Sequence, residues 1–361
     1  MGTGTIGSRY VTYLRGAGHD VVTVDRREPA DSPDVRDLRP RLRPDAWIVA
    51  TPTSTHLTVL RQILGADPAA RVLLEKPACS AGEIQALSGV REEHPRARVM
   101  VNDVYAHSQA VRLFARAVRA GGRPEDIASV TVEFTKNRRL DEARGRFTDP
   151  GYGEVGYEWF HLMTLLRSVL PPRAYAAYLT TARPGPPPDL RVDTRGEKLP
   201  HIRLHASMRG AIAFADAAGF AFAGLGAQRQ LARGAIPYGS SFRYRFAQVG
   251  FHSGVRVTLA FESGFGLVPD HKNSHSVHIG GGLAERSFRI VGNQLREALF
   301  AQLEVLLAGD GGMAELRIPE HRHMDALARE IKRLEHLDKP GNPDPGHSGP
   351  GHCERLTTTP A

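Results

Sequence analysis

"WIVATPTSTHLTVL" at residues 47–60 and "RVLLEKPACS" at 71–80 follow one plan: a short aliphatic run, then a polar turn leading into a helical pattern. "ARVMVNDVY" at 97–105 supplies a third such run. Runs of this kind, too apolar to have a wet face and separated by helix-length segments, predict a parallel, doubly wound sheet buried on both sides. Such sheets bind their ligands at the carboxyl ends of the strands. Thr51, Pro52, Glu75, Lys76 and Asn102 stand at those ends, so they are the first candidates for a site.

Upstream, "MGTGTIGSRY" at 1–10 carries the spacing Gly2-x-Gly4-x-x-Gly7, followed by a helical stretch from Ile6 to Arg15 and a β-branched run, "VVTVD", ending at Asp25. In a dinucleotide-binding unit the glycine turn seats the pyrophosphate on the helix that it opens. That assigns Gly2, Thr3, Gly4, Thr5 and Ile6 to a cofactor. An acid about 20 residues further on holds the adenine ribose hydroxyls, the position of Asp25, which favours NAD. Arg26 and Arg27 follow at once, and arginine there accepts the 2′-phosphate of NADP, so both cofactors stay open. The central strand that should precede the glycines has no residues, so the first strand reads as truncated. A start upstream of Met1, with a strand of about five or six residues, is the expectation.

Composition narrows the classes. The chain has 361 residues, 41% of them hydrophobic and 24% charged, with no apolar run near the length of a membrane span and no leader-like pattern after Met1. A cytoplasmic protein is the default reading. The net charge of +8 is spread among acids and aromatics rather than laid along one face, which argues against nucleic acid and for an anionic cofactor or substrate. Cys79 and Cys353 match no metal or redox spacing, and the histidines of "DHKNSHSVHI" at 270–279 and "HRH" at 321–323 match no ligand motif. No metal is expected. The first histidine run reads as a hairpin loop and the second as the start region of an amphipathic helix, Met324 to Leu334.

Thr51-Pro52-x-x-x-His56 after one strand and Glu75-Lys76-Pro77 after the next, both downstream of the glycine turn, resemble the Gfo/Idh/MocA family of glucose-fructose oxidoreductase and inositol 2-dehydrogenase. The resemblance implies that Thr51, Pro52, His56 and Glu75 line the cofactor. It also implies that Lys76 reaches both the nicotinamide ribose and a substrate hydroxyl. It continues in "GYGEVGYEWFHLMTLLRSVL" at 151–170, where His161 and Leu165-Leu166-Arg167 match the family's catalytic helix. Tyr157 and Thr164 stand where that helix carries aspartates. Helical spacing places Tyr157 and Glu158 beside His161, so either could orient the imidazole or relay its proton.

The expected architecture is therefore a Rossmann domain at 1–107, an α+β domain with an open, mainly antiparallel sheet at 108–338, and a disordered tail at 339–361. "SFRYRFAQVGF" and "GVRVTLAFESGF" read as antiparallel strands with one wet face, in a sheet through which the chain forms a homo-oligomer. Oxidising a secondary alcohol needs a hydride acceptor, a base and a cation at the developing alkoxide. Lys76 and His161 supply the last two, with Glu158 and Tyr157 as partners. Asn102, Tyr105, Arg139 and Thr164 are the candidates for holding substrate. Lys136, Arg138, Arg139, Arg144 and Arg146 form a basic run that could hold its phosphate or carboxylate. The implied function is hydride transfer between a nicotinamide and a secondary hydroxyl or ketone of a sugar, amino sugar or cyclitol. A redox-neutral lyase or glycosidase using tightly bound NAD, and a catalytically impaired binding homologue, stay open as alternatives.

Overall fold

A computed structural model describes residues 2–26, 29–38, 43–146, 148–185, 190–282, 285–308 and 316–337. The expected tail at 339–361, Cys353 and Arg27 lie outside the described residues. Helix α1 (Thr5–Arg15) is followed by β1 (Trp47–Val49), α2 (Thr53–Ala66), β2 (Arg71–Leu74), α3 (Ile84–Glu93) and β3 (Arg98–Val101). The three strands form a parallel sheet in the order β1-β2-β3. Alternate residues of each strand enter different cores. Val72, Leu74, Val99 and Val101 pack with Leu57, Leu60, Ile63 and Leu64 of α2 and with Leu87 and Val90 of α3. Leu73 and Met100 face the other way, onto Tyr10. Each such aliphatic side chain contributes about 1.5–3 kcal/mol on burial, which is why these strands tolerate no polar alternation.

The rest of the chain runs α4 (Gln109–Gly121), β4 (Ile127–Thr135), α5 (Arg139–Ala143), α6 (Val155–Val169), α7 (Pro172–Thr181), β5 (Leu190–Gly196) and β6 (Leu199–Ser207). Then come α8 (Ala215–Ala218), α9 (Leu225–Ala232), β7 (Tyr244–Phe251), β8 (Arg256–Phe261), β9 (Ser274–Gly280), β10 (Arg286–Val291), α10 (Gln294–Leu307) and α11 (Ile318–Leu337). The seven strands form one sheet in the order β10-β9-β8-β7-β4-β6-β5, antiparallel except for the parallel pair β4 and β6. The expected fold class, a parallel sheet followed by a mainly antiparallel one, is the observed one. Helix α10 returns to the first sheet, where Leu299, Leu303 and Leu306 cover Leu73 and Met100. No helix among the described residues is long and apolar enough to cross a membrane.

Four local expectations are corrected. Residues 21–25 are not a strand but a single bridge, Val24 to Ser32. Their backbone groups are spent elsewhere: Val24 O accepts from Gly2 N at 2.9 Å, while Thr23 O and Asp25 N bond Ser32. Strand β7 has no wet face, because Tyr244 and Phe246 enter a second apolar cluster with Phe214, Phe222 and Phe242, and Arg245 is buried on the opposite side. "DHKNSHSVHI" is not a loop. His275 and His278 lie on β9, three residues apart and so on opposite faces. Finally, His321 and His323 sit inside α11, which begins earlier than expected, and both are buried.

Candidate active site

The glycine turn is built as a cradle. Gly2 has φ of +80°, and a Cβ on it would stand 2.6 Å from the carbonyl carbon of Ala50 at the end of β1. A Cβ on Gly7 would meet Gly2 O at 1.7 Å. Around Gly4 a Cβ would meet nothing within 4 Å, so that face of the turn is open. Helix α1 starts there with no side-chain cap and no acid in its first turn, leaving its amide donors free for an anion. Asp25 reaches back to the turn and accepts from Thr3 N at 2.6 Å and Thr3 Oγ1 at 3.2 Å. Arg26 lies at the surface with a nitrogen 3.4 Å from Asp34. Thr5 is exposed and Ile6 packs its side chain towards the α10 cluster. These residues fit a dinucleotide: an open glycine for its pyrophosphate, and an acid held at the ribose position.

The other strand ends are clamped beside this turn. Pro52 opens α2, and the buried His56 ring spans two carbonyls, with Nε2 2.7 Å from Thr51 O and Nδ1 2.9 Å from Pro77 O. Burial holds that imidazole below its ordinary range. The Lys76-Pro77 peptide is cis. Ala78 N donates at 2.8 Å to Nε2 of His321, whose Nδ1 donates in turn to Arg317 O at 2.7 Å. His321, expected only as part of a helix start, therefore holds the turn that carries Lys76, while His323 bonds Leu179 O at 2.9 Å. Sequence reasoning missed the His321 contact, since it spans 243 residues.

Lys76 Nζ donates to Tyr157 O at 2.5 Å, joining β2 to α6. Burial brings the ammonium down to about 8, against the opposing pull of Glu158 and Glu75. His161 follows one turn along α6, with its ring 4.7 Å from that of Tyr105 and flanked by Phe134 and Phe160. Burial first, and then the charge on Lys76, push its pKa well below the usual histidine range, so the imidazole is neutral. Its Nδ1 is enclosed and meets no hydrogen-bond partner among the described residues.

Glu158 is buried behind this pair and accepts from Arg138 and Arg245. Burial opposes its ionisation, but Arg245 and Arg138 outweigh that and hold the carboxyl far below the carboxylate range. A carboxylate so held orients charge; it is not a proton carrier. Tyr157 OH accepts from Arg146 Nε at 2.6 Å, and the Arg138 and Arg146 guanidinium groups lie about 5 Å from its ring centroid. Tyr105 faces His161 and takes a long contact of 3.4 Å from Arg245 at its hydroxyl.

The remaining candidates lie elsewhere. Asn102 is buried, donating to Glu75 and Tyr10 and accepting from Gln302 of α10. Glu75 faces this network through Oε1, which also accepts from Tyr10. Thr164 donates to Asp103 at 2.8 Å, and Asp103 is paired with Arg167. Both Asn102 and Thr164 thus join sheet to helix rather than facing His161. Arg139 is exposed at the start of α5. Among the described residues no group of three His, Cys, Asp or Glu side chains could hold a metal ion. The site missed in the sequence is Arg245. Its alternation in β7 looked like a solvent face.

No sequence-family model matches the chain, and no curated protein sequence matches it. Solved structures do. A protein from Desulfitobacterium hafniense DCB-2, described as an NADPH-dependent oxidoreductase, superposes with a TM-score of 0.65 at 13% identity, over 93% of this chain and 97% of that one. KijD10, a 3-ketoreductase from Actinomadura kijaniata solved with NADP and TDP-benzene, gives 0.57 at 15% identity over 92% and 95%. The WlbA dehydrogenase from Thermus thermophilus, solved with NAD and UDP-GlcNAcA, gives 0.52 at 16% identity over 91% and 92%. The fold of this chain is the one these oxidoreductases share, the two-domain arrangement of the Gfo/Idh/MocA type.

Proposed function

We propose that the protein is a nicotinamide-dependent oxidoreductase acting on a secondary hydroxyl, or the matching ketone, of a sugar, amino sugar or cyclitol. Residues 1–107 hold the cofactor and 108–338 the substrate, with α10 lent back to the first unit. The observation that carries the reading is convergence. An open glycine turn, the Thr51-Pro52 turn and Lys76 all sit at carboxyl strand ends of the parallel sheet, and Lys76 bonds the helix that carries His161.

A bound NAD or NADP would accept or supply the hydride. Gly4 and Thr5 at the start of α1 would bind its pyrophosphate, Asp25 its ribose, and Thr51 and Pro52 would lie along the nicotinamide end. Lys76 spends one N–H on Tyr157 O and keeps two for the substrate oxygen, where its charge steadies an alkoxide. His161, neutral because its ring is largely desolvated beside Lys76, accepts the hydroxyl proton in oxidation and returns it in reduction. Glu158 keeps the two arginines in place and offsets the charge that forms on the imidazole. Titration with NADH and NADPH, followed by nicotinamide fluorescence, tests the first half of this reading. Turnover of sugars and cyclitols, read from reduced-nicotinamide absorbance, tests the second. Failure to bind either cofactor would overturn it.

A further inference from the structure

We infer that the substrate carries a carboxylate close to the carbon that exchanges hydride, and that Arg245 and Arg138 receive it. The inference rests on the proposed reaction only for the place of that carbon. Its own ground is the charge around Lys76 and His161. Glu158 is shared by Arg138 and Arg245, and Asp141 is shared by Lys136, Arg138 and Arg146, at 2.6, 3.3 and 3.8 Å. Arg243 has Glu262 at 2.9 Å. With Lys76 and Glu75 added, six cations face four carboxylates in one connected cluster.

Three of these cations are also short of acceptors. The Nε–H groups of Arg138, Arg243 and Arg245 are enclosed and have no hydrogen-bond partner among the described residues. Arg138 and Arg245 are only 5% and 8% exposed, so water does not serve them freely. A buried donor without an acceptor is costly, and so is an excess of buried charge. A protein that keeps both beside a reacting centre gains from a ligand that brings the missing acceptor and the missing charge.

The cluster is also placed to meet one. Lys76, Tyr105, Tyr157 and His161 are partly exposed, whereas Arg138, Arg245 and Glu158 are buried behind them. Tyr157, uncharged, bridges Lys76 through its carbonyl and Arg146 through its hydroxyl, and the more exposed acid, Asp141, is already shared by Lys136, Arg138 and Arg146. A planar monoanion suits the guanidinium groups. The ionised Glu158 at their centre penalises a dianion such as a phosphate monoester more heavily.

The test is calorimetric binding of glucuronate, galacturonate and mannuronate, each against its neutral aldose and its 6-phosphate, with and without NADH. We expect at least one acid to bind ten-fold or more tighter than its neutral partner and than the phosphate. That preference should shrink about ten-fold in Arg245→Lys, which keeps the charge but loses the fork, and in Arg243→Gln, which removes one outlying cation. Circular dichroism and thermal unfolding of both variants establish that they are folded. Equal or absent binding of acid and neutral sugar overturns the inference, as does an acid preference unchanged in the folded Arg245→Lys protein or a preference for the phosphate. Acid-selective binding without any NADH binding would leave this inference standing and the oxidoreductase reading fallen.

Discussion

Lys76 Nζ donates to the main-chain carbonyl of Tyr157 at 2.5 Å, a contact between the second parallel strand and the helix of the other sheet, 81 residues apart. The carbonyl fixes the ammonium without neutralising it. Burial then decides its proton affinity, which falls from the ordinary 10.5 to about 8.

The pH dependence of oxidation follows. Above pH about 8 Lys76 loses its proton, so kcat/KM should fall on the alkaline side with an apparent midpoint near that value. His161 is held well below 6.5, so the acidic limb should lie below 6.5. Stability has a definite sign too. Between about 8 and 10.5 the unfolded chain keeps a proton that folded Lys76 has lost, so this group's contribution to stability rises with pH across that window. Lys76→Met should lower kcat by roughly 100-fold or more and abolish the alkaline limb of any residual rate. An unchanged pH profile in that variant would exclude Lys76 from the reaction.

The glycines separate folding from binding. Gly4→Ala places its Cβ in open space, so the melting temperature should stay within about 2 °C of the parent while NADH affinity drops ten-fold or more. Gly7→Ala drives its Cβ into Gly2 O and should destabilise the protein before any ligand is added. Thermal unfolding and NADH titration on the same samples read the two effects apart.

His321 is a positioning residue. In His321→Leu the amide of Ala78 is left buried without an acceptor, a loss of about 1–3 kcal/mol that denaturant unfolding would register. Because the turn carrying Lys76 is released, kcat should fall while the NADH dissociation constant holds. Equal losses in both would make the contact a general packing element.

Thr164 is placed by the structure in a buried bond to Asp103 rather than towards His161. Thr164→Val should cost about 1 kcal/mol in stability and leave KM within two-fold. A large rise in KM with unchanged stability would restore the substrate role that the sequence resemblance implied.

What could be read from the sequence was local. The glycine turn, the Thr51-Pro52 and Glu75-Lys76-Pro77 strand ends and His161 each declare themselves within a dozen residues, because strand, turn and helix have short periods. The partners of those residues are set by packing between distant segments. Glu158 was visible beside His161, but Arg245, which takes one of its oxygens, comes from 87 residues away on a strand whose alternation mimicked a wet face. Asn102 stood at a strand end as a candidate for holding substrate, and its cover is Gln302, 200 residues further on.

That long return has a consequence during synthesis. Leu299, Leu303 and Leu306 of α10 close the face of the parallel sheet formed by Leu73 and Met100. A ribosome delivers those leucines long after the strands they cover, so the parallel sheet emerges with one apolar side bare and waits for most of the chain to follow. Truncations ending before α10 should therefore aggregate or be captured by chaperones, even though every residue that lines the proposed cofactor turn is already present.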